Sequence, residues 1–409
     1  MYYITYLYNL VTTLCFRCYH YFILPLRYKI TVVGLENLDS QKLSPDAGML
    51  FLSNHPSHLD ASLIGTALIK EGHLVSIWTM DFVFKNPYTR LVARNSDSTK
   101  LLKVPNVHEN RSPKNLVKVR RLIRRTVEGL QEGENVLFFP AGYQKFTSHE
   151  EVNGKSAVQR ILKQYPQANI VLVRITGMWG SRFSKAVSKF ERSDLREGQW
   201  VRFIWKIAKI FLLNGIFFIP KRRLTIEFLP VGPDFPRHGT RREINQYIED
   251  FFNKGFSNRG EPLQRVPDYF WKAQYPSHEY HLKGYNYDLT KVPQAIVQDI
   301  ISHVAQKAQM KPENVKFNML LDRDLCLDSL EMTELFIDLE KKYPMPKLMP
   351  KNVSSVGHLI ALASGQPIAY DPICGTFQVV HEEPILAVKA WHACAGLVAG
   401  FFGFLDLHR

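Results

Sequence analysis

The chain has 409 residues, 45% of them hydrophobic, enough to bury more than one core and to form two or three domains. Its 52 Lys and Arg outnumber 38 Asp and Glu, a net charge of +14 that asks for an acidic partner; residues 291–365 are balanced, 9 against 9. Five scattered cysteines give no disulfide framework, and zinc-ligand spacing, an aromatic RNA-binding signature and a recognition helix are all missing, which sets nucleic acid aside and leaves an anionic membrane surface.

The opening stretch, MYYITYLYNLVTTLCFRCYHYFILPL, is rich in Tyr, Phe and Leu and is interrupted by Arg17 and His20. It has neither a basic start nor a small-residue cleavage site, so a secretory signal is not expected. The apolar run before Arg17 is shorter than the roughly 20 residues of a spanning helix. Residues 1–29 are therefore expected to form a helix in the membrane interface, with a buried helix of the soluble core as the other reading. Cys15 and Cys18 lie in this apolar stretch without partner ligands, and no metal is expected.

ITVVGLENL at 30–38 suggests a strand, and MLFLSNHPSHLDASLIGTALI at 49–69 reads as a strand, a sharp loop and an apolar helix. His55 and Asp60 bracket four residues of that loop, which puts the imidazole just outside the helix and the carboxylate in its first turn. A carboxylate there can hydrogen-bond one ring nitrogen and leave the other free to take a proton from a hydroxyl. Ser57 with Asp60 is also an ordinary capping box, which places Asp60 in the same turn. With Asn54 ahead of it, NHPSHLD resembles the first signature block of the glycerophospholipid acyltransferase family. The resemblance implies that His55 deprotonates an acceptor hydroxyl, that Asp60 polarises His55, and that the hydroxyl attacks an acyl thioester directly. It implies no covalent acyl-enzyme, no metal and no nucleotide.

LVSIWTM at 74–80 suggests a further strand, and FVFKNPYTRLVARN after it resembles the family segment that follows. The family's second block normally ends in an Arg that binds the acceptor's phosphate. Here LLKVPNV at 101–107 offers Lys103, which can hold a phosphate as a point charge or stay solvated. Residues 111–125 form a basic amphipathic helix with seven cations and no acid, suited to lipid phosphates or to plain solvation. The strand ENVLFFP leads into AGYQKF at 141–146. In the family this third block usually reads Phe-Pro-Glu-Gly-Thr-Arg; Phe139, Pro140 and Gly142 match, Ala141 replaces the Glu and Tyr143 the Thr. Gly142 suits a tight turn beside a ligand, and Lys145 is the expected source of charge.

ANIVLVRITGMWGS at 168–181 resembles the fourth block, an apolar strand ending in Gly177, with Arg174 inside it as a candidate acceptor-binding residue. Trp179 and Gly180 extend it in a manner similar to a bacterial subgroup associated with acyl-carrier-protein ligases. VRFIWKIAKIFLLNGIFFIPKRR at 201–223 has a central apolar run too short to span and reads as an interfacial helix or a core helix. LTIEFLPVG at 224–232 is expected to be a strand and REINQYIEDFFNKGF a closing helix, ending the transferase-like unit, 30–275.

Residues 276–290 show no sustained period and read as a linker of about 20 Å root-mean-square span. Beyond it, LCLDSLEMTELFIDLEKKYP at 325–344 puts Ser329 at a helix start with Leu330, Leu335, Ile337 and Leu339 as the expected buried stripe. Flanked by Asp328 and Leu330, Ser329 resembles the attachment site of acyl carrier proteins, and the likeness covers residues 291–365, including AIVQDIISHVAQKAQ and VSSVGHLIALA. It implies 4'-phosphopantetheine on Ser329, with Cys326 where the family usually has Gly. Residues 366–409, a small-residue apolar tail, could touch the membrane, oligomerise or cover the carrier.

The expected fold is therefore α/β, an acyltransferase-type sheet flanked by helices, followed by a small all-α carrier-protein bundle. The expected activity is O-acyl transfer from a carrier thioester, the chain's own, to the hydroxyl of a lysophospholipid at the cytoplasmic face of a membrane, peripheral or monotopic. A flexible tether gives a donor concentration in the millimolar range. An acyl-carrier ligase and a phosphopantetheinyl transferase are the expected protein partners. The alternatives are a 1-acylglycerol-3-phosphate acyltransferase using free carrier or acyl-CoA, and a non-catalytic membrane carrier scaffold.

Overall fold

Seven strands form one sheet in the order β1-β7-β6-β2-β5-β3-β4: β1 (Tyr28–Val33), β2 (Met49–Ser53), β3 (Val75–Met80), β4 (Thr99–Val104), β5 (Asn135–Phe138), β6 (Asn169–Thr176) and β7 (Arg222–Pro230). The structure is a computed structural model; it describes residues 24–38, 44, 47–80, 99–104, 113–181, 183–186, 221–265, 278–282, 288–345, 353, 355–366, 372–376 and 379–381. β6, β2, β5, β3 and β4 run parallel, while β7 is antiparallel to β6 and carries β1 with it.

Burial along the strands follows from these neighbours. β2 and β6 are covered on both faces where they read as apolar runs, Leu50 to Leu52 and Ile170 to Val173. β7, nearer the edge, alternates buried Leu224, Ile226 and Phe228 with more open Arg223, Thr225, Glu227 and Leu229. Leu50 and Leu52 of β2 point to one layer, made by α2 (Pro113–Gln131), α3 (Ala157–Gln164) and α4 (Arg241–Asn253). Phe51 points to the other, made by Leu63, Ile64 and Leu68 of α1 (Asp60–Lys70) with residues of β7. The basic helix α2 is thus anchored through Ile123, Val127 and Leu130, with its cations on the opposite side.

Three helices, α5 (Gln294–Ala308), α6 (Ser329–Lys342) and α7 (Val356–Ala363), close around a separate core that includes Val297, Ile300, Val304, Leu335, Phe336, Leu339, Val356 and Leu359. The stripe of α6 is Met332, Leu335, Phe336 and Leu339, the i, i+3, i+4, i+7 pattern of one helix face. This corrects the expected stripe at two positions: Leu330 turns away to pack on Leu116 and Val119 of α2, and Ile337 is half-exposed.

β4 and α3 were not anticipated from the sequence. The stretch expected to be a linker contains β9 (His278–Leu282), paired antiparallel with β10 (Pro372–Thr376); likewise β8 (Leu263–Arg265) pairs with β11 (Val379–His381). Most of the expected interfacial helix at 1–29, the segments 82–95 and 201–220, and most of the tail beyond 366 lie outside the described residues. Among the described residues no helix is long and apolar enough to cross a membrane.

Candidate active site

β2 is the central strand of the sheet, and its parallel neighbours β6 and β5 end at the same edge. The loops leaving these three carboxyl ends therefore converge, which is where open α/β sheets hold their ligands. Asn54 fastens the first of them: its amide nitrogen donates to the Ile175 carbonyl (2.9 Å) and its oxygen accepts from the Ile175 N–H (2.8 Å).

His55 follows with its Nδ1 3.0 Å from Asp60 Oδ2. The same carboxylate oxygen accepts from the Ser57 N–H at 2.7 Å, and Oδ1 accepts from the Ser57 hydroxyl. Ser57 thus orients the acid, and the helix cap falls to Leu59, which has no capping side chain. Asp60 is fully buried while the His55 side chain is 20% exposed, so the ring rests on a dry carboxylate and keeps one open edge. Burial pushes the Asp60 carboxyl up, against the opposing pull of its bonds to His55 and Ser57. An ionised Asp60 accepts from Nδ1–H, which fixes the tautomer and leaves Nε2 as the basic nitrogen. Phe139, at the end of β5, stacks on the ring at 4.0 Å and 19° and holds its plane.

The backbone of His55 is held as well. Its N–H donates to Glu150 (3.1 Å) and its carbonyl accepts from the Lys145 N–H (3.0 Å). Complete burial pushes the Glu150 carboxyl up to about 8, with Lys145 opposing. His58, three residues on, is lowered to about 4 by burial and by the neighbouring His55 and Lys185.

The remaining candidates divide. Gly142 has φ +75, a left-handed turn that favours glycine, and its N–H returns to the Phe139 carbonyl at 2.9 Å. Lys145 is not available as a phosphate ligand: its ammonium is buried 2.5 Å from Glu261, donates to the Ser148 carbonyl and lies 4.9 Å from the centre of the Trp179 ring. Glu261 in turn accepts from the Gly177 N–H (3.0 Å), so this buried pair ties the β5 and β6 loops together. Arg174 is also engaged internally, 2.7 Å from Glu227 and donating to the Lys254 carbonyl just past α4. Lys103 sits at the carboxyl end of β4, exposed and three strands from β2, about 14 Å across the sheet. Glu150, Glu261, Phe139 and the orienting role of Ser57 were missed; each acts through a partner that is distant in sequence or, for Ser57, through a pattern shared with helix caps.

Ser329 is the first residue of α6, directly after its N-cap Asp328. Cys326, ahead of them, has φ 52, which accounts for the turn a glycine would make more easily. Asp328 is 3% exposed; its carboxylate caps the Glu331 N–H and accepts from the Ser156 hydroxyl and from Arg160 at 3.1 Å.

A histidine with a buried acid behind it, at the carboxyl edge of a mostly parallel sheet, is an arrangement that can take a proton from a bound hydroxyl. Residues 29–176 match the family model described as Acyltransferase. The matched segment holds every candidate from His55 to Arg174 and ends before the helical unit. Among solved structures, the chain is similar to the 1-acyl-sn-glycerophosphate (LPA) acyltransferase PlsC from Thermotoga maritima, with 16% identity over 56% of this chain and 70% of that one and a TM-score of 0.34. No curated protein matches the chain.

Proposed function

We propose that the protein is an O-acyltransferase of lysophospholipids that takes its acyl group from a thioester carried on its own helical unit and works at the cytoplasmic face of a membrane. The observation that carries the reading is the His55–Asp60 pair, 3.0 Å apart with the acid fully buried. Nε2 of His55 takes the proton of the acceptor hydroxyl, and Asp60 stabilises the charge that the ring gains. Ester formation releases a thiol, to which the ring returns the proton.

Residues around Ser329 suit 4'-phosphopantetheine. The serine opens a helix, whose N-terminus favours a phosphodiester, and Arg160 lies against the preceding residue. The group would supply an acyl thioester on a mobile arm. A phosphopantetheinyl transferase to attach it and an acyl-carrier ligase to charge it are part of the same reading. Lys145 and Arg174 are paired internally, so the acceptor head group and the anionic membrane are assigned to other cations, Lys103 at the end of β4 and the exposed Lys114, Arg121 and Arg124 of α2.

His55→Ala is expected to lower acyl transfer by roughly 100- to 10,000-fold, about 3 to 5 kcal/mol in the barrier, while mass spectrometry still finds Ser329 modified and acylated. A mutant as active as the wild type would reject the assignment. Ser329→Ala, which cannot carry the arm, separates a fused donor from a soluble one: a fused-donor enzyme loses transfer, whereas an enzyme that uses acyl-CoA or free acyl carrier protein keeps it.

A further inference from the structure

Three acids spaced three residues apart, Asp328, Glu331 and Glu334, lie on one side of α6, and each meets an arginine from a different helix of the sheet domain. Arg160 of α3 reaches Asp328 at 3.1 Å, Arg241 of α4 forks onto Glu331 at 2.7 and 2.8 Å, and Arg120 of α2 meets Glu334 at 3.0 Å. Leu330 between them packs on Leu116. Single exposed ion pairs contribute little, so their number is weak evidence; the matching of one acidic helix edge to three separate helices, with an apolar contact between, is the mark of a specific surface.

The contact is also close in shape. A Cβ at Gly154 would lie 2.5 Å from the Asp322 carbonyl oxygen and 2.6 Å from the Cys326 carbonyl carbon, so the backbone of the helical unit approaches where only glycine leaves room. Gly154 and Ser156 share a loop with Glu150, which accepts the His55 N–H. Glu150 and Gly154 are four residue steps apart, at most about 14 Å of chain.

Taking Ser329 as the carrier residue of the function proposed above, we infer that the face built by Arg120, Arg160 and Arg241 around Gly154 is the surface on which the chain's own helical unit docks to present Ser329 to the His55 loop. The surface is specific for an acidic helix edge, and the 150–156 loop joins it to the catalytic histidine.

The test uses the full chain with its prosthetic arm attached and acylated, in vesicles containing lysophosphatidic acid and lysophosphatidylethanolamine. Arg241→Glu reverses one charge, Gly154→Val wedges the contact without changing charge, and Arg241→Glu with Glu331→Arg restores the pair in reverse. Both disrupting variants are expected to raise the radius of gyration in small-angle scattering and to slow transfer from Ser329 at least tenfold. Transfer from soluble acyl-CoA should stay within twofold, and the charge swap should restore both readouts. Unchanged scattering in both disrupting variants overturns the docking surface, and undocking with wild-type transfer overturns its part in delivery. A wild-type chain that transfers from no donor overturns the function above, and scattering of the same variants then decides the surface by itself.

Discussion

His55 is positioned by what grips its backbone and ring plane as well as by its bond to Asp60. Phe139 sets the plane, Lys145 and Glu150 hold the peptide, and Asn54 pins the loop to β6. Lys145 therefore belongs to the frame of the site, and Lys145→Met leaves Glu261 as an unpaired buried carboxylate. The expected loss is about 3 to 5 kcal/mol of stability, read by denaturant unfolding. Glu150 gives a pH signature. Its folded carboxyl titrates near 8 against an ordinary 4.5, so the folded state holds a proton that the unfolded state releases. That stabilisation is complete below about pH 4.5 and is lost as pH rises through 8, a change on the order of a few kcal/mol. Glu150→Gln should flatten this slope in melting experiments across pH 5 to 8, and an unaltered slope would remove the assignment. His55 and Asp60 could be read from the sequence because their partnership is local, five residues long. Glu150 and Glu261 could not, because a lone acid 95 residues from the histidine it serves carries no local pattern.

At the level of elements, Arg174 joins three of them: it lies on β6, pairs with Glu227 of β7 and covers the carbonyls that end α4, with its guanidinium 5.6 Å from the Phe251 ring centre. A cation there also suits the negative end of the helix. Arg174→Met is expected to cost about 1 to 3 kcal/mol of stability and to leave the KM for the proposed lysolipid acceptor unchanged. A tenfold rise in that KM with normal stability would return Arg174 to the acceptor site. The buried strands β2 and β6 were legible as apolar runs, and α4 and α5 as periodic helices. β4 was hidden because Lys100 and Lys103 interrupt its apolar residues on an edge strand. β9 was hidden for a different reason: its order comes from β10, 90 residues later, and not from its own composition.

For the molecule as a whole, the sheet domain and the helical unit each close their own core, and the seam between them is mostly charged. Arg120 is 62% exposed and Arg160 30%, so salt reaches these pairs. Raising ionic strength from 0.1 to 1 M shortens the screening length from about 10 to 3 Å. The radius of gyration is expected to rise over that range while each core stays folded by circular dichroism. A radius indifferent to salt would show that Leu330 and the Gly154 contact hold the seam without help from charge.

Asp328, sealed beneath Ser156 and Arg160, has a further consequence for timing. If Ser329 carries the thioester proposed above, any second protein that must grip the start of α6 would compete with the sheet domain for the same footing, and recharging and delivery would take turns. The pace of such a cycle would depend on dwell time: a grip too firm would starve the reload, and one too loose would waste the visit. A seam of modest, water-accessible ion pairs is matched to that alternation.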